Sequence, residues 1–285
     1  MTGASVLILL LQAAPPPAAE GTEVRSVSIV VTDDKSGPVE GLVPEEVAIL
    51  ENGLARDLVS LQLDHRPLTV ALLVDTTEVT SPFFRSTLVD AVAGFLTRLP
   101  ADTKYALWTT GDRPTKLVDY TDDLGAGGKA LRRVATTGGN TMLDALVEAS
   151  ADLKKQEGKR TALVAVTALG IEFSSRDRYQ VPEAAAKNVD LFLGLEIAEG
   201  DAGSENRILY EYAFGELAKR TGGMSELTLS SLGADQALRK LSAFLRAQYR
   251  LSYATLTGLK NRKIEVKVAR PGVKVKVGPS QARES

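Results

Sequence analysis

An alternation of apolar, strand-like runs with amphipathic helical segments between residues 68 and 247 constrains the fold more than any other feature. Residues 68–74 are apolar except for Thr69, and residues 81–99 carry large apolar side chains at helical spacing. The pattern continues with apolar runs at 105–109, 162–166 and 189–197 and helical segments at 128–134, 142–155, 208–220 and 234–247. Strands that alternate with helices indicate a mainly parallel sheet covered on both faces. We therefore predict a doubly wound α/β domain over residues 67–247.

The segments on either side have the pattern of antiparallel β structure. Asn52-Gly53 lies between apolar runs and predicts a tight hairpin over residues 47–63, because a type I′ turn needs positive φ at both central residues. Beyond residue 248 three further strand-like runs follow. Each set alone would form a poor sheet. We therefore predict that residues 23–66 and 248–279 form one small β sandwich into which the α/β domain is inserted, followed by a disordered tail at 280–285.

The first 22 residues are predicted to be an export signal or a linker. Residues 6–11 read VLILLL, which is too short to span a bilayer core of about 30 Å. Residues 15–19, PPPAA, are typical of a processing or linker segment, although no Lys or Arg precedes the apolar run as in a usual signal peptide. We expect a periplasmic or extracellular protein without a transmembrane helix in its mature chain.

Composition excludes several classes of site. The 34 basic and 36 acidic residues leave a net charge of -2, which disfavours binding to nucleic acid. The sequence has no Cys and a single His, His65, so thiolate nucleophiles and multi-His metal sites are excluded. No Gly-x-Ser-x-Gly elbow accompanies His65, which is expected to be a surface or interdomain residue.

Two motifs of the central segment resemble the von Willebrand factor type A domain. Asp75 follows an apolar run, and Asp75-x-Thr77-x-Val79 is similar to the Asp-x-Ser-x-Ser motif of that family. Residues 136–146, TTGGNTMLDAL, resemble its Gly-Gly-x-Thr-x-x-x-Asp-Ala segment, with two instead of three residues between Thr141 and Asp144. With the flanks at 38–53 and 248–275, the resemblance extends over residues 24–278. It points to the exported bacterial "VWFA-related" proteins common in acidobacterial-type genomes.

The resemblance implies a site for Mg²⁺ or Mn²⁺, because this family holds a divalent cation with oxygen ligands at the carboxyl ends of the strands. The implied ligands here are Asp75, Thr77 and Thr141. Two positions lack an oxygen: Val79 replaces the second Ser, and Leu169 in the run TALG stands where a second Asp belongs. With one carboxylate in place of two, the charge that holds the ion falls by half. We therefore expect a degenerate, weak site.

Other assignments for the same residues stay open. Thr80 is adjacent to the lost Ser, and Glu78 and Glu172 could replace the lost oxygens. Asp75 could instead cap the next helix or bond the loop at 138–139, and Thr141 could cap the helix that begins after it, in a Thr-x-x-Asp arrangement.

We expect a non-enzymatic protein-binding or adhesion-type module of the bacterial envelope. The expected partner is a protein, held by residues 75–81, 136–141 and 169–176 without a bridging cation; Glu78, Thr80, Asn140 and Glu172 belong to this face. The alternatives are an envelope scaffold that self-associates and a hydrolase that uses Asp75, Glu78 and Glu172.

Overall fold

The computed structural model describes residues 21–35, 37–156, 159–199, 204–259 and 261–282. The strands are β1 Thr22–Asp33, β2 Val47–Glu51, β3 Leu54–Arg56, β4 Leu58–Leu63, β5 Leu68–Val74, β6 Lys104–Thr109, β7 Thr115–Thr121, β8 Arg160–Thr167, β9 Leu191–Ile197, β10 Met224–Thr228, β11 Gln248–Leu256, β12 Ile264–Val268 and β13 Val273–Ala282. The α-helices are α1 Val89–Thr97, α2 Ala126–Leu131, α3 Met142–Leu153, α4 Val181–Ala186, α5 Ser204–Thr221 and α6 Ala234–Arg246.

The central sheet has six strands in the order β10-β9-β8-β5-β6-β7, and all neighbours are parallel except β6 and β7. Helices α1, α2 and α6 supply one hydrophobic cluster on one face, while α3, α4 and α5 supply a second cluster on the other. All seven residues of β5 are buried because both faces are covered. The predicted doubly wound α/β fold is confirmed.

The flanking segments form two antiparallel sheets, in the orders β13-β1-β11-β4 and β12-β2-β3. Each sheet combines strands from before and after the α/β unit, since β1 pairs with β11 and β13, and β2 pairs with β12. Val27, Ile49 and Leu251 belong to one core cluster that joins the sheets. The N- and C-terminal segments therefore build one β sandwich, as predicted.

The predicted hairpin over residues 47–63 is shorter than expected. Asn52 and Gly53 take φ values of 52° and 80°, and β2 pairs with β3 across this turn. The strand β4, however, pairs with β11 in the other sheet. Its residues Leu58, Leu61 and Leu63 pack on the sandwich core from there, so the pairing across the turn ends at Arg56.

Other differences concern short or irregular elements. Strands β7 and β10 and helix α4 were not predicted, because β7 and β10 are partly polar edge strands and α4 is one short segment with Pro182 in its first turn. The segment at 81–99 begins with a π-helical turn, Phe84–Leu88, before α1. Strand β13 continues to Ala282, so residues 280–282 are strand and not tail.

The predicted export segment falls almost wholly on residues 1–20, which lie outside the described residues. In the part of the chain that is described, no helix is both long and apolar enough to cross a bilayer.

Candidate functional site

A row of polar residues crosses the central sheet at the carboxyl ends of its strands. Asp75 follows β5 directly, and its backbone N–H donates to the carbonyl of Val166 on β8. Thr167, the last residue of β8, pairs with Glu196 on β9. Paired residues of a parallel ladder point to the same face. Asp75, Thr167 and Glu196 therefore share the face that α3, α4 and α5 cover.

The carboxylate of Asp75 is completely buried and accepts five hydrogen bonds. Its Oδ1 accepts from the backbone N–H of Thr77 at 2.9 Å and from the hydroxyl of Thr77 at 2.7 Å. Its Oδ2 accepts from Asn140 Nδ2 and Thr167 Oγ1, both at 3.1 Å, and from the backbone N–H of Ala168 at 2.9 Å. A carboxylate offers about four lone-pair sites, so these donors use its whole capacity.

Asn140 is the residue that links the neighbouring loops to Asp75. Its Nδ2 also donates to Thr167 Oγ1 at 3.1 Å, and its Oδ1 accepts from Thr110 Oγ1 at 2.6 Å. Its backbone N–H donates to the carbonyl of Ile171, and its carbonyl accepts from the N–H of Phe173. Side chain and backbone of this buried residue are thus both fixed.

The structure brings Thr77 to Asp75 but points Thr141 elsewhere. The hydroxyl of Thr141 donates to the carbonyl of Thr110 at 2.8 Å, and this side chain makes no cap bond to α3. The helix-cap assignment of Thr141 is therefore wrong. Asp144 instead accepts from Ser175 and Arg176.

The remaining candidates lie around this cluster. The hydroxyl of Thr80 donates to the carbonyl of Thr77 at 2.7 Å, and Glu78 is exposed. Glu172 accepts from the hydroxyl of Tyr210 at 2.7 Å and from the N–H of Ser174 at 3.0 Å. Burial raises the pKa of Glu172, although these hydrogen bonds work to lower it.

The segment after β8 offers a backbone N–H where the resemblance implied a carboxylate. Leu169 packs its side chain into the cluster beneath α3 and α5, and its φ of 60° lies in the left-handed region. A non-glycine residue there stores about 1 kcal/mol or more of backbone strain. Leu169 supplies no oxygen to the site, and the backbone N–H of Ala168, one residue earlier, donates to Asp75 Oδ2.

Several members of the site were not among the predicted residues: Thr110, Thr167, Glu196 and Tyr210. Asn140 was predicted only for the partner-binding face. The sequence does contain a signal that Asn140 lies in the site. Counting back from Asp144 with the family's spacing of three intervening residues reaches Asn140 and not Thr141.

Comparison with known proteins agrees with this fold. Residues 70–168 match the family model described as the von Willebrand factor type A domain. Domains of this class are typically non-enzymatic binding modules. Comparison with curated proteins gave no match.

Two solved structures show the same fold at low identity. A von Willebrand factor type A protein from Catenulispora acidiphila is 7% identical with a TM-score of 0.54, over 90% of this chain and 73% of that chain. Proximal thread matrix protein 1 from the mussel byssus is 15% identical with a TM-score of 0.54. That structure is described as having a zinc-occupied MIDAS motif. That match covers 69% of this chain and 50% of that chain.

The residues around Asp75 do not fit the divalent cation that the resemblance implied. Such an ion needs oxygens with free lone pairs, whereas Asp75 already accepts five hydrogen bonds and an amide nitrogen stands beside it. Among the described residues no three His, Asp or Glu side chains form a group that could hold a metal.

Proposed function

We propose that this chain is a non-enzymatic, protein-binding module of the bacterial envelope. Its partner contacts the loops at the carboxyl edge of the central sheet, which are residues 75–81, 136–141 and 169–176. Export is part of the proposal and rests on the apolar segment at 6–11 and the segment PPPAA after it.

Exposed apolar side chains on these loops are the observation that carries the proposal. Val79, Ile171 and Phe173 are 44%, 61% and 67% exposed. Phe173 covers Gly139 so closely that a Cβ there would lie 1.9 Å from its ring, and a Cβ on Gly170 would lie 3.3 Å from Val79. The three side chains thus stand on adjoining loops, and we take them together as the apolar binding surface. Burial of such side chains is the main source of affinity at protein interfaces.

The loops are also held in place before any partner arrives. The backbone of Asn140 pairs with both Ile171 and Phe173. Loops that are already ordered lose less conformational entropy on binding. An apolar surface on a fixed backbone therefore fits recognition of a folded protein.

A hydrolytic function lacks support at this edge. The carboxylate of Asp75 is buried under five hydrogen bonds, and His65 lies before the opposite end of β5, a strand roughly 20 Å long. A base and a nucleophile must lie within hydrogen-bond reach of each other. The chain's single imidazole therefore cannot serve a nucleophile near Asp75.

Site-specific photocrosslinking in cells that produce the full chain tests the proposal. A photoreactive phenylalanine analogue replaces Phe173 in one variant and Val59, which is 51% exposed on the sandwich, in the control. We expect a protein adduct from position 173 and none from position 59. Phe173→Ala should then weaken binding of the purified partner about tenfold, while Val59→Ser leaves it unchanged.

Other outcomes would contradict this function. An adduct between two copies of the chain, together with a dimer in light scattering, would favour the self-associating scaffold. Turnover of an ester, peptide or phosphoester that Asp75→Ala abolishes would favour a hydrolase. The absence of an adduct from position 173, and from a further variant that carries the analogue at position 171, would overturn the assignment of this surface.

A further inference from the structure

We propose that the carboxamide of Asn140 takes the place of the divalent cation, so that hydrogen bonds hold the carboxyl edge of this domain together without metal. The inference concerns the inside of the site and goes beyond the proposed function, because it stands whether or not the apolar loops bind a partner.

The amide can face Asp75 in only one orientation. A carboxylate accepts hydrogen bonds but cannot donate them, so the group 3.1 Å from Asp75 Oδ2 must be the NH2 of Asn140. The amide oxygen then accepts from the hydroxyl of Thr110 at 2.6 Å. Both ends of the side chain are matched, and the reversed orientation would set two oxygens against each other.

The Asn140 nitrogen occupies the position between two oxygens that a cation would need. It lies 3.1 Å from Asp75 Oδ2 and 3.1 Å from Thr167 Oγ1. Mg²⁺ would need those oxygens at about 2.0–2.1 Å with lone pairs directed toward it. Binding would therefore require this wholly buried side chain to leave, although its backbone is paired on both sides.

The charge around Asp75 agrees with this replacement. Among the described residues, no Lys or Arg side chain donates to the carboxylate of Asp75. Three side-chain donors and two backbone N–H groups supply its hydrogen bonds instead, as a buried carboxylate without a counter-ion requires. The amide of Asn140 thus stands where the ion would be, and the N–H of Ala168 adds a further donor to Asp75 Oδ2.

The test measures metal binding and thermal unfolding of the full chain, with Mn²⁺ as the probe. We expect the wild type to unfold at the same temperature in EDTA and in millimolar Mn²⁺, and to leave the Mn²⁺ electron paramagnetic resonance signal of the free ion unchanged. Asn140→Asp places a second carboxylate beside Asp75. It should be less stable in EDTA and gain about 5 °C in melting temperature when Mn²⁺ exceeds its Kd a hundredfold.

Matched variants separate this effect from a general loss of packing. Asn140→Leu removes the same hydrogen bonds without adding charge, so it should be destabilised and should not respond to Mn²⁺. Asp75→Ala in the Asn140→Asp background should abolish the gain. Binding of Mn²⁺ by the wild type, lost in Asp75→Ala, would overturn the proposal even if Asn140→Asp fails to fold. So would a folded Asn140→Asp variant that ignores Mn²⁺. No partner binding enters these readouts, so they cannot be confused with a failure of the proposed function.

Discussion

At the scale of single residues, the buried carboxylates of the polar row differ in how well they are satisfied. Asp75 has a donor for each lone pair, whereas Glu196 accepts one hydrogen bond, from Ser225 Oγ at 2.9 Å, and its Oε2 has no partner among the described atoms. Burial raises the pKa of Glu196 to about 7, helped by the negative charge of Glu211 and opposed by Ser225 and Arg207. Glu196 therefore titrates near neutral pH.

Glu196→Gln should reduce the decrease in the free energy of unfolding that occurs as pH rises from 5 to 8. The folded-state pKa of Glu196 is above its ordinary value of 4.5, so its stabilising contribution is complete below about 4.5 and is lost as pH rises through about 7. The difference amounts to about 3 kcal/mol in the free energy of unfolding. Urea unfolding at several pH values measures it. Glu183→Gln, on the exposed side of α4, is the control, and an identical pH dependence in the wild type and Glu196→Gln would contradict the assignment.

Asp75→Asn should lower the free energy of unfolding by about 3 kcal/mol. In either orientation the new NH2 group faces a backbone N–H, that of Thr77 on one side or of Ala168 on the other. A hydroxyl can rotate away from this conflict but a backbone N–H cannot. Chemical denaturation measures the loss. Glu78→Gln, on the exposed neighbour, should change stability by less than about 0.5 kcal/mol, and equal effects of the two substitutions would argue against the network.

At the scale of elements, α5 supports the loop that carries Ile171 and Phe173. The hydroxyl of Tyr210 lies 2.7 Å from Glu172 and 3.1 Å from the carbonyl of Gly170. Burial and the negative charges of Glu172 and Asp75 raise the pKa of Tyr210, so the phenol stays protonated and can donate. The helix thus fixes the segment on which the proposed binding surface stands.

Tyr210→Phe should loosen this loop more than the sheet. We expect faster hydrogen exchange at the amide of Phe173, which bonds the carbonyl of Asn140, and a loss of about 1 kcal/mol in stability. Exchange of the β5 amides should change only in proportion to that global loss. Tyr212→Phe removes a hydroxyl from the outer face of the same helix and serves as the control. If both variants speed exchange at Phe173 equally, the Tyr210 contact does not hold the loop.

The elements that could be predicted are those whose burial follows a regular period. The seven apolar residues of β5 and the spacing of α3 predict a strand and a helix because each buries a continuous face. Strands β7 and β10 lie at the sheet edges, where most of their residues are only partly buried and polar residues interrupt the pattern. The change of sheet after Arg56 depends on β11, which lies almost two hundred residues away.

At the scale of the whole molecule, the two chain segments that connect the sandwich to the α/β unit both contact Arg160. This buried side chain donates to the carbonyl of Leu245 and to Gln248 Oε1, both at 3.1 Å, and its backbone N–H donates to the carbonyl of Pro67. It therefore joins the segment entering the central sheet to the segment leaving it. The domain boundaries at 66 and 247 stay predictions, and both lie at this contact.

Arg160→Met should destabilise the chain by about 3 kcal/mol and reduce its cooperativity. The substitution keeps an unbranched side chain but removes the guanidinium, which leaves the carbonyl of Leu245 and the side-chain oxygen of Gln248 without this donor. We expect calorimetry to resolve two transitions where the wild type shows one. Arg133→Met, an exposed position after α2, is the control. A single transition at the wild-type temperature would show that Arg160 does not couple the units.

The sequence by itself determined the class of fold and the position of Asp75. Period and composition report local burial, and a buried parallel strand can only place the residue after it at the carboxyl edge of the sheet. The tertiary structure decided which side chain meets Asp75. Asn140 lies 65 residues away and Thr141 is its neighbour, yet consecutive side chains before a helix point in different directions. Packing between α3, β5 and β8 selects one of them. For the same reason, only the structure shows that Glu196 Oε2 has no hydrogen-bond partner among the described atoms. The solvation of a buried group depends on distant segments that no local pattern encodes.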